Sequence, residues 1–132
     1  MNNLSKDAQV RSQLFESLVG RYNATLISGR YGGDYNNDQL AISEADGNVT
    51  LFLGLKLLDS EGALQLDAAS LGPHLQYSKS WFSALIASLK CSPDTVQFSV
   101  KIESALAKIL LVACVICMDP VTQDIKLLRI AI

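Results

Sequence analysis

The sequence predicts an α+β fold: an antiparallel sheet of five to seven strands with two helices, in the order α-β-β-β-(β)-α-β-β-(β), with residues 1–132 as a single domain. Three observations predict it. Two segments space their apolar residues with helical period, several others alternate with period two, and the connections are short and rich in turn formers.

The elements follow in order. From Ser5 to Tyr22 the apolar residues Ala8, Val10, Leu14, Phe15, Leu18, Val19 and Tyr22 form one helical stripe, with Ser5 as cap and Asp7 at the positive end. Asn23–Ser28 reads as a short strand, and the polar run from Gly29 to Asp38 as a loop. Leu40 and Ile42 open a strand that Asp46-Gly47-Asn48 turns into a hairpin. Val49, Leu51, Leu53, Leu55 and Leu57 alternate with Thr50, Phe52, Gly54 and Lys56, which predicts one apolar face along 49–57. After the turn Asp59–Gly62, Leu64, Leu66 and Ala68 predict a further strand, closed by Leu71-Gly72-Pro73.

A second helix opens at Tyr77-Ser78 and carries Trp81, Phe82, Leu85, Ile86 and Leu89 on one face, with Lys90 at its end and Pro93 as its stop. Val96, Phe98, Val100 and Ile102 alternate with polar residues and predict a strand. Ile109–Met118 is apolar throughout, so its strand is expected to be covered on both faces. Asp124–Ile132 allows an edge strand or a two-turn helix, and its isoleucines favour the strand.

Composition narrows the function. Hydrophobic residues make up 49% and charged residues 18%, which excludes disorder. At this length a core buries roughly two thirds of the unfolded surface without disulfides or metal. The longest apolar run, Ile109–Met118, is too short for a membrane helix, so no membrane insertion is expected. The net charge of −2 is uneven: residues 23–77 hold two basic and seven acidic side chains, and residues 78–132 six basic and four acidic. With no basic stripe and an acidic middle, no nucleic-acid partner is expected. The first residues lack a secretory pattern and the three cysteines are an odd set, so free thiols in the cytoplasm are expected.

Each candidate constellation for chemistry fails on its own terms. Cys114 and Cys117 have the spacing of a redox or zinc half-site, but three residues apart on a strand they face opposite ways and read as small buried hydrophobes. Asp34–Asp38 imitates a calcium loop, yet Gln39 stands where glycine is needed and Ala45 where glutamate is needed. Gly29, Gly32 and Gly33 do not have phosphate-loop spacing. His74 has no fixed carboxylate partner, and no serine sits in a nucleophile elbow. The expectation is no catalytic residue, no metal and no cofactor: not an enzyme. What remains is apolar surface beyond the needs of one sheet and two helices, with Trp81, Phe82 and Phe52 prominent in it.

The amphipathic opening helix with Ser12-Gln-Leu-Phe-Glu-Ser-Leu-Val19, the run Gln39-Leu-Ala-Ile-Ser-Glu-Ala-Asp-Gly-Asn-Val-Thr-Leu51, the strand Leu64-Gln-Leu-Asp-Ala-Ala-Ser-Leu-Gly72 and the helix Trp81–Leu89 carry a resemblance. Together with size and acidity, the pattern resembles the class I type III secretion chaperones. That family usually ends in a third helix, where Asp124–Ile132 reads here as strand. The resemblance implies a cytoplasmic homodimer that binds an extended segment of a secreted effector protein, a virulence function without hydrolysis. It implies a dimer interface at Trp81, Phe82, Leu85 and Leu89, and a protein client held at Leu14, Leu18, Leu53 and Leu55. Two alternatives remain open. One is a self-assembling structural or viral assembly protein. The other is a small-molecule-binding domain with His74, Tyr31 or Tyr35 at the mouth of its pocket.

Overall fold

The computed structural model describes residues 8–27, 29, 31 and 39–131. Its elements are α1 (Ala8–Gly20), β1 (Thr25–Ile27), β2 (Leu40–Ala45), β3 (Asn48–Leu57), α2 (Lys79–Lys90), α3 (Val96–Ala107), β4 (Leu111–Met118) and β5 (Ile125–Ile130). The strands form one sheet in the order β1-β2-β3-β4-β5. The α+β class holds, with corrections: the sheet is mixed rather than antiparallel, the described helices number three rather than two, the described strands number five, at the lower end of the five to seven expected, and the order is α-β-β-β-α-α-β-β.

The sheet is antiparallel except between β3 and β4, which run parallel. A parallel pair needs a long crossover. Here residues 58–110 supply it and carry both α2 and α3. The molecule therefore has three layers. Phe15 and Val19 of α1 pack on Ala41, Phe52, Leu55, Cys114, Ile116 and Met118 of one sheet face. Trp81, Phe82, Leu85 and Leu89 of α2, with Phe98, Ile102 and Ala105 of α3, pack on Ile42, Leu51, Leu53, Val115 and Cys117 of the other. β4, an inner strand between β3 and β5 and buried from Ala113 to Met118, is covered on both sides.

Val96–Ala107 is helix where alternation predicted strand. The segment carries both periods. Phe98, Ile102 and Ala105 fall at helical spacing and are buried, whereas Val96 and Val100 are exposed. The stretch before it decides the matter locally: the Ser92 carbonyl accepts from Val96 N–H, and Thr95 Oγ1 donates to the Leu89 carbonyl at 2.7 Å, tying α3 to the end of α2. Pro93 ends one helix and opens the approach to the next.

Residues 64–68 are not a strand either. Both neighbours of β3 are already in place, so this segment cannot pair beside the strand it follows. Side chains organise it instead. The Asp59 carboxylate accepts from the N–H groups of Glu61 and Ala63 and from Gln65, which holds its pKa below the ordinary value. Buried Gln76 accepts from Asp67 N–H, and Ser70 pairs with His74 through a single bridge. Ser70 Oγ also receives the Trp81 indole N–H at 2.9 Å and donates to the Tyr31 carbonyl at 2.9 Å. One hydroxyl thus joins three remote parts of the chain.

Candidate functional site

Of the four residues expected at a client site, Leu14, Leu18 and Leu55 gather in the α1 layer. Leu53 does not. It is buried in the opposite layer, against α2 and α3. The cause is a bulge: between the pairs Phe52–Cys114 and Leu55–Ile116, two residues of β3, Leu53 and Gly54, are matched by only one of β4, Val115. Gly54 lies in the bulge with φ 107°, a conformation open to glycine and strained for other residues. Tyr77 Oη donates to the Leu53 carbonyl there at 3.1 Å. Beyond the bulge every side chain has changed face. Leu55 and Leu57 join the α1 side, and Lys56 turns inward to lie 6.0 Å over the Tyr77 ring.

Trp81, Phe82, Leu85 and Leu89, expected across a twofold axis, are all buried within one chain. Trp81 meets Tyr77 and Phe82 edge-on, with ring centroids 5.3 and 5.0 Å away. These four side chains pack toward the chain's own sheet, and none is more than 3% exposed. The outer side of the helical layer presents a shallow groove lined by Lys79, Phe82, Ser83, Ile86 and Leu106, so of the four expected residues Phe82 borders it.

Cys114 faces α1 and Cys117 faces α2 and α3, so they diverge as strand geometry requires, and all three cysteines are free. Burial pushes Cys114 up to about 11. Burial raises Cys117 too, against a smaller opposing influence from Lys56. Neither thiol is poised to react near neutrality. Among the described residues no group of three or more His, Cys, Asp or Glu is placed to hold a metal. His74 and Tyr31 lend their backbone carbonyls to Ser70. Tyr35, Gly32, Gly33, the Asp34–Asp38 run, Ser5 and Asp7 lie outside the described residues.

Among the described residues, one stretch of open apolar surface lies at the end of the sheet. β5 is an edge strand, and along Ile125–Ile130 every residue but the last is exposed. Ile125, Leu127 and Leu128 are 40%, 46% and 44% exposed, on a strand that among the described residues pairs with β4 alone. The pairing assigns each side chain to a face. Ile125, Leu127 and Arg129 stand opposite Met118, Ile116 and Cys114, on the α1 side; Lys126, Leu128 and Ile130 stand opposite Cys117, Val115 and Ala113, on the other. On the α1 side the helix leaves part of the sheet bare. A shallow groove of about 460 Å³ runs there between Tyr22, Phe52, Val112, Cys114, Leu127 and Arg129. Tyr22, at the end of α1, stacks on Phe52 with centroids 5.3 Å apart and forms one wall.

An unpaired row of backbone N–H and C=O groups flanked by apolar side chains is a template for another strand. The sequence favoured an edge strand over 124–132, and β5 is that strand, but the expected site residues were placed on α1 and β3 instead. Comparison with family models, with curated proteins and with solved structures finds no match to this chain.

Proposed function

We propose that this protein is a binding module that takes up an extended segment of another polypeptide along the free edge of β5, and that it catalyses nothing. The observation that carries the proposal is a six-residue edge strand with three large aliphatic side chains more than a third exposed. A segment laid against β5 would complete the backbone hydrogen bonds of the edge and cover these side chains. Its α1-side residues would reach the groove between Phe52, Val112 and Leu127. Affinity would come from main-chain bonds and apolar contact, which suits a partner held unfolded.

In this form the proposal is close to what class I type III secretion chaperones do: hold an extended segment of a secreted effector in the cytoplasm as a homodimer. Support comes from the open edge, the bare sheet face and the free thiols, which fit a reducing compartment. No described helix is long and apolar enough to cross a membrane. For the homodimer, the proposal uses Ile86 and Leu106 on the outer side of α2 and α3 in place of the buried Trp81 set. Sedimentation tests that part: the native chain runs as a dimer at micromolar concentration and Leu106→Asp as a monomer.

The binding test uses a polypeptide that cannot refold, reduced and carboxymethylated α-lactalbumin. The native protein is expected to co-elute with it in gel filtration, and the Leu127→Asp/Leu128→Asp chain is expected not to. Equal co-elution by both, with both chains folded by circular dichroism, contradicts the proposal.

A further inference from the structure

We infer that the segment accepted at β5 is acidic, with two carboxylates three residues apart set among apolar side chains. The inference rests on the edge-strand reading above and deepens it.

β5 reads Ile-Lys-Leu-Leu-Arg-Ile, and its two cations, Lys126 and Arg129, are both exposed. Three apart on a strand, they stand on opposite faces: Lys126 beside Cys117 on the helical-layer side, Arg129 beside Cys114 on the α1 side. A strand added in register places one residue opposite each of the six. Directly opposed side chains project to the same face, and opposite charges there stabilise the pair while like charges destabilise it. Complementarity therefore asks for carboxylates at two positions three apart, so that one reaches each cation. The other four positions, opposite Ile125, Leu127, Leu128 and Ile130, ask for apolar residues. The pattern is apolar, acidic, apolar, apolar, acidic, apolar, in either chain direction. On the α1 side the carboxylate would meet Arg129 at the rim of the groove, beside the apolar wall of Phe52 and Val112.

The same two cations select against other occupants. A basic segment is repelled at both positions. A second copy pairing through its own β5 would bring four cations into one seam. Lys126 does have an acid in its surroundings, Asp119, but backbone N–H groups of Val121 and Thr122 already engage that carboxylate.

The test measures fluorescence anisotropy of three labelled peptides at low salt: Ser-Gly-Thr-Val-Glu-Val-Val-Glu-Val-Thr-Gly-Ser and its versions with both Glu replaced by Gln or by Lys. Binding of the Glu peptide is expected to be about tenfold tighter than that of the Gln peptide, the scale of two cross-strand charge pairs, with the Lys peptide weakest. In the Lys126→Gln/Arg129→Gln chain, whose changes are on the surface, Glu and Gln peptides are expected to bind alike. Equal binding of Glu and Gln peptides by the native chain overturns the inference, as does a preference that survives in the double variant. Amide exchange across 125–130 separates this from failure of the edge reading. If all three peptides protect β5 equally, the edge reading stands and the acidic partner falls. If peptides bind without protecting β5, or none binds, the edge reading falls with it. Protection of β5 that grows with protein concentration in the absence of peptide makes the occupant a second copy, and also overturns the inference.

Discussion

Leu53 and Leu55, two residues apart on one strand, are buried on opposite faces of the sheet. A regular strand would put them side by side. The extra residue of the bulge separates them, and Gly54 at φ 107° makes the bulge possible. Placing any other residue at Gly54 strains the backbone by about 1–2 kcal/mol. Gly54→Ala is therefore expected to lower the unfolding free energy by at least that much in urea titration. Leu53→Ala and Leu55→Ala should each cost about 2–5 kcal/mol, as buried leucines do. A binding role for Leu53 would instead show as lost affinity with stability unchanged.

The α2 residues carry a prediction of the same kind. Leu85 and Trp81 are wholly buried in one chain. Leu85→Ala is expected to destabilise by about 2–5 kcal/mol, and the sedimentation coefficient of the folded fraction should stay that of the native chain. Ser70→Ala removes the acceptor of the Trp81 indole N–H and should cost about 1–3 kcal/mol. Urea unfolding followed by Trp81 fluorescence measures both.

Ile109 sits between α3 and β4 at φ 57° and is 92% exposed. A β-branched residue is strained there and its side chain gains nothing from burial. Ile109→Gly is expected to raise the unfolding free energy by about 1 kcal/mol. A loss of stability would show that the side chain has a contact of its own.

The thiols set a pH dependence. Burial holds the Cys114 thiol at about 11, and raises Cys117 and Tyr31 as well. The folded chain thus keeps protons that the unfolded chain releases from about pH 9 upward. Stability contributed by these groups is fully present below the unfolded pKa and is lost as pH rises through the folded one. The urea midpoint is expected to fall between about pH 9 and 11, and to fall less steeply in Cys114→Ala. At pH 8, iodoacetamide should modify the exposed Cys91 and spare Cys114 and Cys117 until the chain is unfolded.

The parts of this fold legible in the sequence are those where one period acts alone. The Asp46-Gly47-Asn48 hairpin, the apolar face of α2, the doubly apolar β4 and the final strand all follow from local pattern. The segment Val96–Ile102 satisfies two periods at once, and packing of Phe98 and Ile102 beside α2 chooses the helix. Misreading it as strand also hid the parallel pairing of β3 with β4, because the crossover then lacked half its length. Leu64–Ala68 has a strand's alternation, but whether a ladder position is free depends on the whole sheet. The bulge had one signal, a glycine in the interior of an apolar strand. The site was legible only as an excess of apolar residues. The edge strand at its centre was legible from its isoleucines, but the bare sheet face beside it was not, because how far α1 covers the sheet is a property of topology.

The central claim is that β5 accepts a strand on its free edge. Amide hydrogen exchange of Ile125–Ile130, with and without reduced and carboxymethylated α-lactalbumin, tests it most directly. On this account exchange across these residues slows by about tenfold or more in the complex, as new backbone hydrogen bonds form. Unchanged exchange at β5 in a complex that demonstrably forms would contradict it.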